Sequence, residues 1–358
     1  MIYKNVNLPI FPIIKRNILN NLSDVIKEEN LYFKTVTIIT GNFGESLVSD
    51  RQIGKQFPKT HIINIKKYKN ISEIRTQVVN NKTELILAIG GGTIIDIGKY
   101  LSVETSIPLI SIPTILSNDG IASPISILKI NGKYKSLGTT PPIGVIADTE
   151  IITKSPKKFL LSGLGDLMSN ISAILDWELS AKETGEKLDF FAKNIAYNSA
   201  SNLLYNFKIG KYENNIYDKS FIEDLFNGLV MSAVSMIIAK SSRPASGAEH
   251  NISHALDRLG NHEAHGIQVG FSTLFTLYLQ NEYKILEDTI NLYKGMGFPI
   301  AFDKLKFTEQ DFKKAFELAP HIRDRYTILN RFSFNNLLKK FEDFKRVVYN
   351  EENFKQDR

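Results

Sequence analysis

The chain contains no cysteine among its 358 residues. Disulfide bonds, iron–sulfur clusters and metal sites built on thiolates are therefore excluded. A bound metal ion must instead be held by histidine, aspartate, glutamate or water, which is a donor set for a hard or borderline divalent cation. The sequence therefore predicts that any metal site in this protein consists of imidazoles and carboxylates.

Long apolar runs and basic blocks are also missing. No stretch of about 18 apolar residues occurs, so we expect no membrane span. Residues 1–16 show no basic leader before an apolar core, so we expect no secretory signal and a cytoplasmic location. The formal net charge is +6. Because the lysines are dispersed, we favour a solvated surface over attraction of anionic ligands, and no module for binding nucleic acid is found.

The chain divides into two parts with different secondary-structure patterns, and its length is consistent with two domains. Residues 1–155 alternate helical patterns with apolar runs that are continuous, as in strands covered on both faces. This predicts a Rossmann-like α/β domain with a parallel sheet. Residues 156–358 contain long helical stretches, such as 166–184 and 220–240, and predict an all-α domain. The predicted strands are 35–40, 61–65, 85–89, 109–112 and 144–147.

Three glycines, Gly90, Gly91 and Gly92, follow the third predicted strand and precede a helical pattern over 94–101. Glycines expose backbone N–H groups to a ligand, and the helix N-terminus adds partial positive charge, so this turn suits a pyrophosphate. The pattern is neither G-x-G-x-x-G nor a Walker A loop, so a tight turn without a ligand is an equal alternative. Asp96 and Lys99 of the helix either contact a cofactor or form a solvated ion pair.

A second loop, residues 113–124, follows the fourth predicted strand and is rich in small polar side chains. In open parallel sheets, ligands bind beyond the carboxyl ends of the strands. Both loops are expected at that edge. Gly41 closes the first predicted strand. We therefore expect a ligand there, with a plain connecting loop as the alternative for residues 113–124.

Four of the six histidines, His250, His254, His262 and His265, fall within sixteen residues. His250 and His254 are spaced i,i+4 and share one helix face. Two or three imidazoles converging from this helix and the start of the next can bind a divalent metal, with Asp166 as a candidate carboxylate ligand. The spacing does not decide whether His250 or His254 is the ligand, and histidines packed without a metal are the alternative.

A glycine turn and a histidine cluster in one chain predict a metal-dependent dehydrogenase. An open zinc site polarises an alcohol oxygen and lowers its pKa, so that a hydride can pass to a nicotinamide held nearby. In this interpretation His254 hydrogen-bonds the substrate or relays its proton.

The sequence resembles the superfamily of iron-containing alcohol dehydrogenases, glycerol dehydrogenases and dehydroquinate synthases. Within it, the sequence is most similar to the sn-glycerol-1-phosphate dehydrogenase branch. The resemblance spans roughly residues 35–275 and is carried by residues 90–99, 113–124, 146–150, 163–177, 243–256 and 265–266.

The resemblance implies a fold like that of dehydroquinate synthase, with a nucleotide-binding α/β domain, a helical metal- and substrate-binding domain, and a zinc ion in the cleft between them. It implies that Asp166, His250 and His265 bind zinc and that His254 and Asp119 contact the substrate. It also suggests a homo-oligomer. The cofactor, NAD or NADP, would be bound by Gly41, Gly90, Gly91, Gly92, Thr93, Asp96, Thr114, Ser117 and Ser123.

The expected reaction is the reduction of dihydroxyacetone phosphate to sn-glycerol 1-phosphate with NAD(P)H. The alternatives are NAD-dependent glycerol dehydrogenase and a carbocycle-forming synthase that uses NAD transiently. Asn118 stands where the branch usually has histidine, which loosens the substrate assignment. Asn170 stands where iron-dependent relatives carry histidine, which favours a three-ligand zinc site. Arg243 is either part of a cationic phosphate pocket or a structural anchor.

Overall fold

The computed structural model describes residues 11–130, 133–261 and 263–349. The chain separates into two compact units, residues 1–156 and 157–358. His262 and residues 1–10, on which two of the sequence expectations rest, lie outside the described residues.

The first unit is built around a six-stranded sheet in which every pair of neighbouring strands is parallel. The elements are β1 (Phe11–Lys15), α1 (Leu22–Glu28), β2 (Thr35–Thr40), α2 (Asn42–Asp50), β3 (Lys59–Asn64), α3 (Ile71–Asn80), β4 (Leu85–Gly90), α4 (Gly92–Thr105), β5 (Leu109–Pro113), β6 (Ile125–Ile130), β7 (Lys133–Gly138), β8 (Gly144–Asp148) and α5 (Thr149–Thr153). The strand order in the sheet is β1-β8-β5-β4-β2-β3, and β6 and β7 form a separate antiparallel pair.

Both faces of this sheet are covered by apolar side chains. Every residue of β4 is buried. Side chains of one parity, such as Val36 and Ile38 in β2, belong to a core shared with α1 and α2. The opposite parity, such as Ile39, packs in a second core with α3 and α4. Burial on both faces explains why these strands are continuous apolar runs.

All five strands predicted from the sequence are present, but β1 and the β6–β7 pair were not predicted. β1 is an edge strand that contains Pro12, and only one of its five residues is buried. Prolines are tolerated at such edges because one side of the strand pairs with no neighbour. The weak apolar signal of a short edge strand hides it from a pattern search.

In the second unit, every regular element among the described residues is a helix. Aspartates cap two of its helices, since the Asp189 side chain accepts from Phe191 N and that of Asp218 accepts from Phe221 N. The prediction of an α/β Rossmann-like domain followed by an all-α domain is confirmed. The helices are α6 (Lys157–Thr184), α7 (Phe190–Lys208), α8 (Lys219–Ala239), α9 (Ala248–Arg258), α10 (His265–Leu279), α11 (Tyr283–Met296), α12 (Glu309–Leu318) and α13 (Phe334–Tyr349).

Helix α8 is the one described helix that is long and apolar enough to cross a membrane by length and composition. Within its apolar window, 72% of the residues are buried inside the protein. A core helix passes the same test, so α8 is weak evidence for a membrane span.

Candidate metal centre and nucleotide-binding loops

Three side chains of the second unit converge as a possible metal site: Asp166 of α6, His250 of α9 and His265, the first residue of α10. Each offers one ligand atom, and these atoms lie within 4.8 Å of one another. Asp166 Oδ1 lies 3.8 Å from His250 Nε2 and 3.9 Å from His265 Nε2. Two imidazoles and one carboxylate are a donor set for a divalent transition-metal ion.

Close contact between α6 and α10 places Asp166 beside His265. A Cβ added to Gly165 would lie 2.0 Å from the carbonyl oxygen of Gly266, and one added to Gly266 would lie 1.8 Å from that of Ser162. The Ser162 hydroxyl also accepts a hydrogen bond from Gly266 N at 3.1 Å. Only glycine permits two helix backbones to approach this closely. Gly165 and Gly266 therefore bring the adjacent residues Asp166 and His265 together.

The electrostatic environment suits metal binding by both imidazoles. Burial, followed by the charge of Arg323, lowers the pKa of His250 well below its usual value. Burial, together with His250 and His254, does the same to the pKa of His265. A neutral imidazole keeps a lone pair for a metal ion, so the donors fit a divalent cation.

Each imidazole of the pair is held through its other nitrogen. His250 Nδ1 lies 3.0 Å from Glu249 Oε1, and His265 Nδ1 lies 3.3 Å from the Ser253 hydroxyl. Partners of this kind select the tautomer that presents Nε2 to a metal. Neither Glu249 nor Ser253 was identified from the sequence, although both adjoin the candidate histidines along the chain.

Two buried carboxylates support the start of α9. Glu249 accepts from Gly247 N and from the Ser172 hydroxyl, at 2.5 and 2.8 Å. Asp176 accepts from Ala248 N at 2.7 Å. Burial, then the charge of Glu249, raises the pKa of Asp176 to about 7. The helix that carries His250 therefore begins on two acidic side chains from which water is excluded.

His254 lies beside His250 and His265 but forms a hydrogen bond with an arginine. Its ring centre is 5.8 Å from that of His265 and 6.4 Å from that of His250. Arg323 Nη2 lies 2.8 Å from His254 Nε2. Since a guanidinium has no acceptor, His254 Nε2 accepts this hydrogen bond. The geometry thus distinguishes His250, whose Nε2 is nearest Asp166, from His254, a choice that the spacing alone left open.

Asn170 lies one helical turn after Asp166, but its side chain hydrogen-bonds to residues of other helices. Its amide donates to the Ser199 hydroxyl at 2.9 Å, and its oxygen accepts from that of Ser232 at 3.2 Å. Asn170 therefore belongs to the core between helices, and the group formed by described residues has three members.

In the first unit, strand order brings the predicted cofactor residues to one edge of the sheet. β4 lies between β2 and β5, so the segments after these three strands are neighbours. An added Cβ on Gly41, after β2, would lie 3.6 Å from the Ile94 side chain of α4. The second loop follows β5, and Thr114 N donates to Gly90 O at 3.0 Å. The glycine turn is thus flanked by Gly41 on one side and by Thr114 on the other.

The turn itself has open space above it. Gly92 is the first residue of α4, and no atom lies within 4 Å of a Cβ added there. The N-cap, Gly91, provides no side-chain cap, and Thr93 is exposed. Uncapped N–H groups at the start of a fourteen-residue helix suit an anionic ligand.

Asp96 and Lys99 are more constrained than either sequence interpretation supposed. The Lys99 side chain is fully buried, and its amine lies 3.0 Å from Asp96 Oδ1. The amine also donates to the carbonyl oxygens of Gly120, Ser123 and Ile125. Asp96 accepts from Ile127 N, and burial raises its pKa. The pair ties α4 to the second loop instead of forming a solvated ion pair.

The second loop is ordered by its own backbone. Asp119 begins a short 3-10 helix, and its carbonyl oxygen accepts from Ala122 N and Ser123 N. Thr114 and Ser123 are buried, whereas Ser117 and Asp119 are half-buried. Ser117 and Asp119 therefore expose more side-chain surface than Thr114 and Ser123.

Arg243 is a structural anchor. Its guanidinium pairs with Glu186 through Nε and Nη2, and Nη1 donates to Tyr326 O at 2.9 Å. Its side chain is only 4% exposed. The sequence did not decide whether this arginine belongs to a phosphate pocket or is a structural anchor. Its bidentate pairing with a carboxylate favours the structural role.

Comparison with known proteins first defines the class. The profile of the iron-containing alcohol dehydrogenase family matches residues 13–156. The fold is similar to the crystal structure of glycerol dehydrogenase from Schizosaccharomyces pombe, with a TM-score of 0.77 and 16% identity over 97% of this chain and 91% of that one. The fold is thus that of the iron-containing alcohol dehydrogenase class.

Sequence relatives then define the family. A glycerol-1-phosphate dehydrogenase [NAD(P)+] from Methanococcus vannielii is 36% identical over 90% of this chain and 93% of its own length. One from Pyrococcus furiosus is 38% identical over 73% of this chain and 74% of its own. The chain belongs to the glycerol-1-phosphate dehydrogenase family, and the resemblance found in its motifs is confirmed.

Proposed function

We propose that this protein catalyses the zinc- and NAD(P)-dependent reduction of dihydroxyacetone phosphate to sn-glycerol 1-phosphate. The observation that carries the proposal is the convergence of Asp166, His250 and His265 within 4.8 Å in a chain of this family. Relatives with 36% and 38% identity are named glycerol-1-phosphate dehydrogenase [NAD(P)+], which names the proposed product and the cofactor.

In this proposal the second unit holds the metal. Asp166, His250 and His265 are its ligands, and Glu249 and Ser253 orient the two imidazoles. When bound, the zinc ion supplies the positive charge that polarises a substrate oxygen. Three protein side chains would hold the ion, as is typical of catalytic zinc sites, whereas structural zinc sites use four.

The first unit binds the cofactor. The N–H groups of Gly90, Gly91, Gly92 and Thr93 face the pyrophosphate, because α4 begins there without a side-chain cap. Thr114, Ser117 and Ser123 line the nicotinamide half of the site, with Gly41 and Asp96 at its borders, and Asp119 contacts the substrate. When bound, the nicotinamide supplies the hydride.

His254 is the candidate for handling the substrate proton. Its Nε2 accepts from Arg323 at 2.8 Å, so the neutral ring carries its proton on Nδ1. Proton transfer through Nε2 requires that this hydrogen bond first be broken. Arg323 therefore controls which nitrogen of His254 is available to a substrate.

A homo-oligomer in the cytoplasm is part of the proposal. Helix α7 exposes a row of large apolar side chains, and exposed apolar patches are typical of protein interfaces. A second copy of the chain is the partner that the family suggests. Light scattering of the purified protein tests this, and a monomer at all concentrations would contradict it. The exposed residues are Phe190, Phe191, Tyr197 and Tyr205 of α7, together with Ile209 just after its last residue.

The direct test is the oxidation of NADH by zinc-loaded protein, with dihydroxyacetone phosphate and dihydroxyacetone supplied separately. We expect a strong preference for the phosphorylated substrate and sn-glycerol 1-phosphate as product. Preference for dihydroxyacetone would identify a glycerol dehydrogenase instead. No turnover of either substrate would contradict the dehydrogenase proposal.

The ligand assignment has its own test. We expect Asp166→Asn and His250→Ala to lose bound zinc and activity together, as measured by metal analysis and NADH oxidation. Asp343→Asn, which removes an exposed carboxylate of α13, serves as the control. Activity that persists in a metal-free variant would contradict the proposed role of zinc.

A further inference from the structure

A pocket of about 690 Å³ lies in the second unit among residues 180–186, Arg243 and residues 320–330. Three guanidinium groups line it, from Arg243, Arg323 and Arg325, together with the carboxylates of Glu186 and Asp324. The ligands of the candidate metal site are not among the lining residues. None of the residues proposed to bind the metal or the cofactor lines this pocket.

The three arginines differ in how their charge is balanced. Arg243 pairs with Glu186, as described above. Arg323 contacts only neutral groups, the Ser246 hydroxyl at 2.7 Å and His254 Nε2 at 2.8 Å. Arg325 likewise donates to Ser246 O at 2.7 Å and to the Ser242 hydroxyl at 3.0 Å.

Among the described residues, no carboxylate forms an ion pair with Arg323 or Arg325. Each of these guanidiniums carries five N–H donors and uses two of them in these contacts, so donors remain on both. Asp324 also lines the pocket but is exposed to solvent. Arg323 and Arg325 are thus two partly buried, neighbouring cations with N–H donors that these contacts do not use.

The crowding of positive charge affects the pKa of Arg325. Burial, then repulsion from Arg323 and Arg243, lowers the pKa of Arg325 to about 10. Burial also lowers the pKa of Arg323. The charges of Glu186 and Glu249 offset only part of this lowering for Arg325. A bound anion would relieve the remaining repulsion between the arginines.

We propose that Arg323 and Arg325 form a binding site for a phosphate group, either that of the substrate or free phosphate. The guanidinium fork matches phosphate oxygens in geometry, which is why paired arginines recognise phosphate better than a point charge does. Both arginines line a pocket with room for such a group.

The contact between Arg323 and His254 favours the substrate as the source of the phosphate. In dihydroxyacetone phosphate, four covalent bonds separate the carbonyl oxygen from phosphorus. His254 lies between the two sites, with its ring 5.8 Å from that of His265 and its Nε2 bonded to Arg323. This source rests on the proposed function, whereas the phosphate site itself does not.

A purely structural role for the two arginines predicts different behaviour. Both bond to Ser246, which lies just before α9, so they also fix the chain that leads to His250. If that were their whole role, substitution would reduce stability and zinc binding without a specific effect on phosphate. Phosphate affinity is therefore the property that distinguishes the two roles.

The first experiment is calorimetric titration of inorganic phosphate into the zinc-loaded protein. We expect Arg323→Met and Arg325→Met each to weaken binding about tenfold or more, since each removes charged hydrogen bonds. Arg346→Met, which removes an exposed arginine paired with Asp343, is the matched control and should bind like the wild type. Equal phosphate affinity in all four proteins would overturn the proposal.

Lysine variants cover the case in which the methionine variants fold poorly. Arg323→Lys and Arg325→Lys keep a positive charge but lose the bidentate fork. We expect them to fold, as checked by circular dichroism, and to bind phosphate several-fold more weakly. Wild-type affinity in both folded lysine variants would also overturn the site.

Kinetics then identify the source of the phosphate. For a substrate site, inorganic phosphate competes with dihydroxyacetone phosphate, and in Arg325→Met the KM for that substrate rises relative to the KM for dihydroxyacetone. Arginine-dependent binding of phosphate without competition supports the site and assigns it to free phosphate. If the wild type does not turn over dihydroxyacetone phosphate, the proposed function fails, while the titration still decides whether the phosphate site exists.

Discussion

At the scale of single residues, Glu249 connects the candidate metal ligands to the protein interior. It is fully buried, and it accepts from Gly247 N and Ser172 while it holds His250 Nδ1. Burial raises its pKa, and the N–H donors around it oppose that rise. A carboxylate in this position raises the basicity of the imidazole and fixes its orientation toward a metal.

We therefore expect Glu249→Gln to bind zinc about 10- to 100-fold more weakly than the wild type. The amide retains size and one acceptor oxygen but lacks the negative charge. Competition with a chelator of known affinity measures the change. Glu317→Gln, at an exposed position of α12, is the matched control. Unchanged zinc affinity in Glu249→Gln would show that the carboxylate does not support the site.

At the scale of elements, the crossing of α6 and α10 determines whether Asp166 and His265 meet. Gly266 lies in the first turn of α10, where alanine would otherwise favour the helix. A methyl group there would lie 1.8 Å from the backbone oxygen of Ser162, which no side-chain rotation relieves.

We expect Gly266→Ala to lower the free energy of unfolding by about 1–3 kcal/mol through overpacking. It should also lower zinc occupancy, because the helices must separate. Urea unfolding and metal analysis measure the two effects. Gly138→Ala, which meets no atom within 4 Å, should change neither. Wild-type stability and zinc content in Gly266→Ala would refute this account of the crossing.

At the N-terminus of α4, a glycine-to-alanine substitution should weaken ligand binding without lowering stability. A methyl group on Gly92 enters open space, so Gly92→Ala should fold at least as stably as the wild type. It should nevertheless bind NADH about tenfold more weakly, a loss of about 1.4 kcal/mol, since the methyl occupies the space that a pyrophosphate needs. Titration calorimetry with NADH tests this, and an unchanged Kd would remove the glycine turn from the cofactor site.

At the scale of the whole molecule, Asp176 links folding to pH. It joins α6 to distant segments by accepting from Ala248 N, Gln280 Nε2 and Ile328 N. Its pKa is about 7 in the folded chain, against an ordinary value of 3.8. Between these two values the folded chain holds a proton that the unfolded chain has released. The contribution of Asp176 to the free energy of unfolding therefore falls as pH rises toward 7.

We expect Asp176→Asn to remove this contribution, because asparagine does not ionise. Relative to the wild type, the variant should gain up to about 4 kcal/mol in free energy of unfolding between about pH 4 and pH 7. Urea unfolding across that range gives the difference, and Asp343→Asn, an exposed site, is the control. Parallel pH curves for Asp176→Asn and the wild type would show that Asp176 titrates normally.

Local patterns in the sequence were sufficient for several features of this protein. Continuous apolar runs predicted the buried strands, because a parallel sheet hides both faces of each strand. The lack of cysteine and the cluster of histidines restricted the possible metal donors to imidazoles and carboxylates. The three glycines from the end of β4 to the start of α4 predicted the turn between them, since backbone geometry there depends on adjacent residues. These signals are all contained within a few consecutive residues.

Contacts between distant segments were decided only by the tertiary structure. The spacing could not choose between His250 and His254, because side-chain direction depends on which helices pack together. Their difference arises from Asp166 and Arg323, which lie 84 and 69 residues away along the chain from the histidines they approach. The pairing of Arg243 with Glu186 likewise spans 57 residues. Folding brings such partners together through packing of whole helices, and no local pattern records that packing.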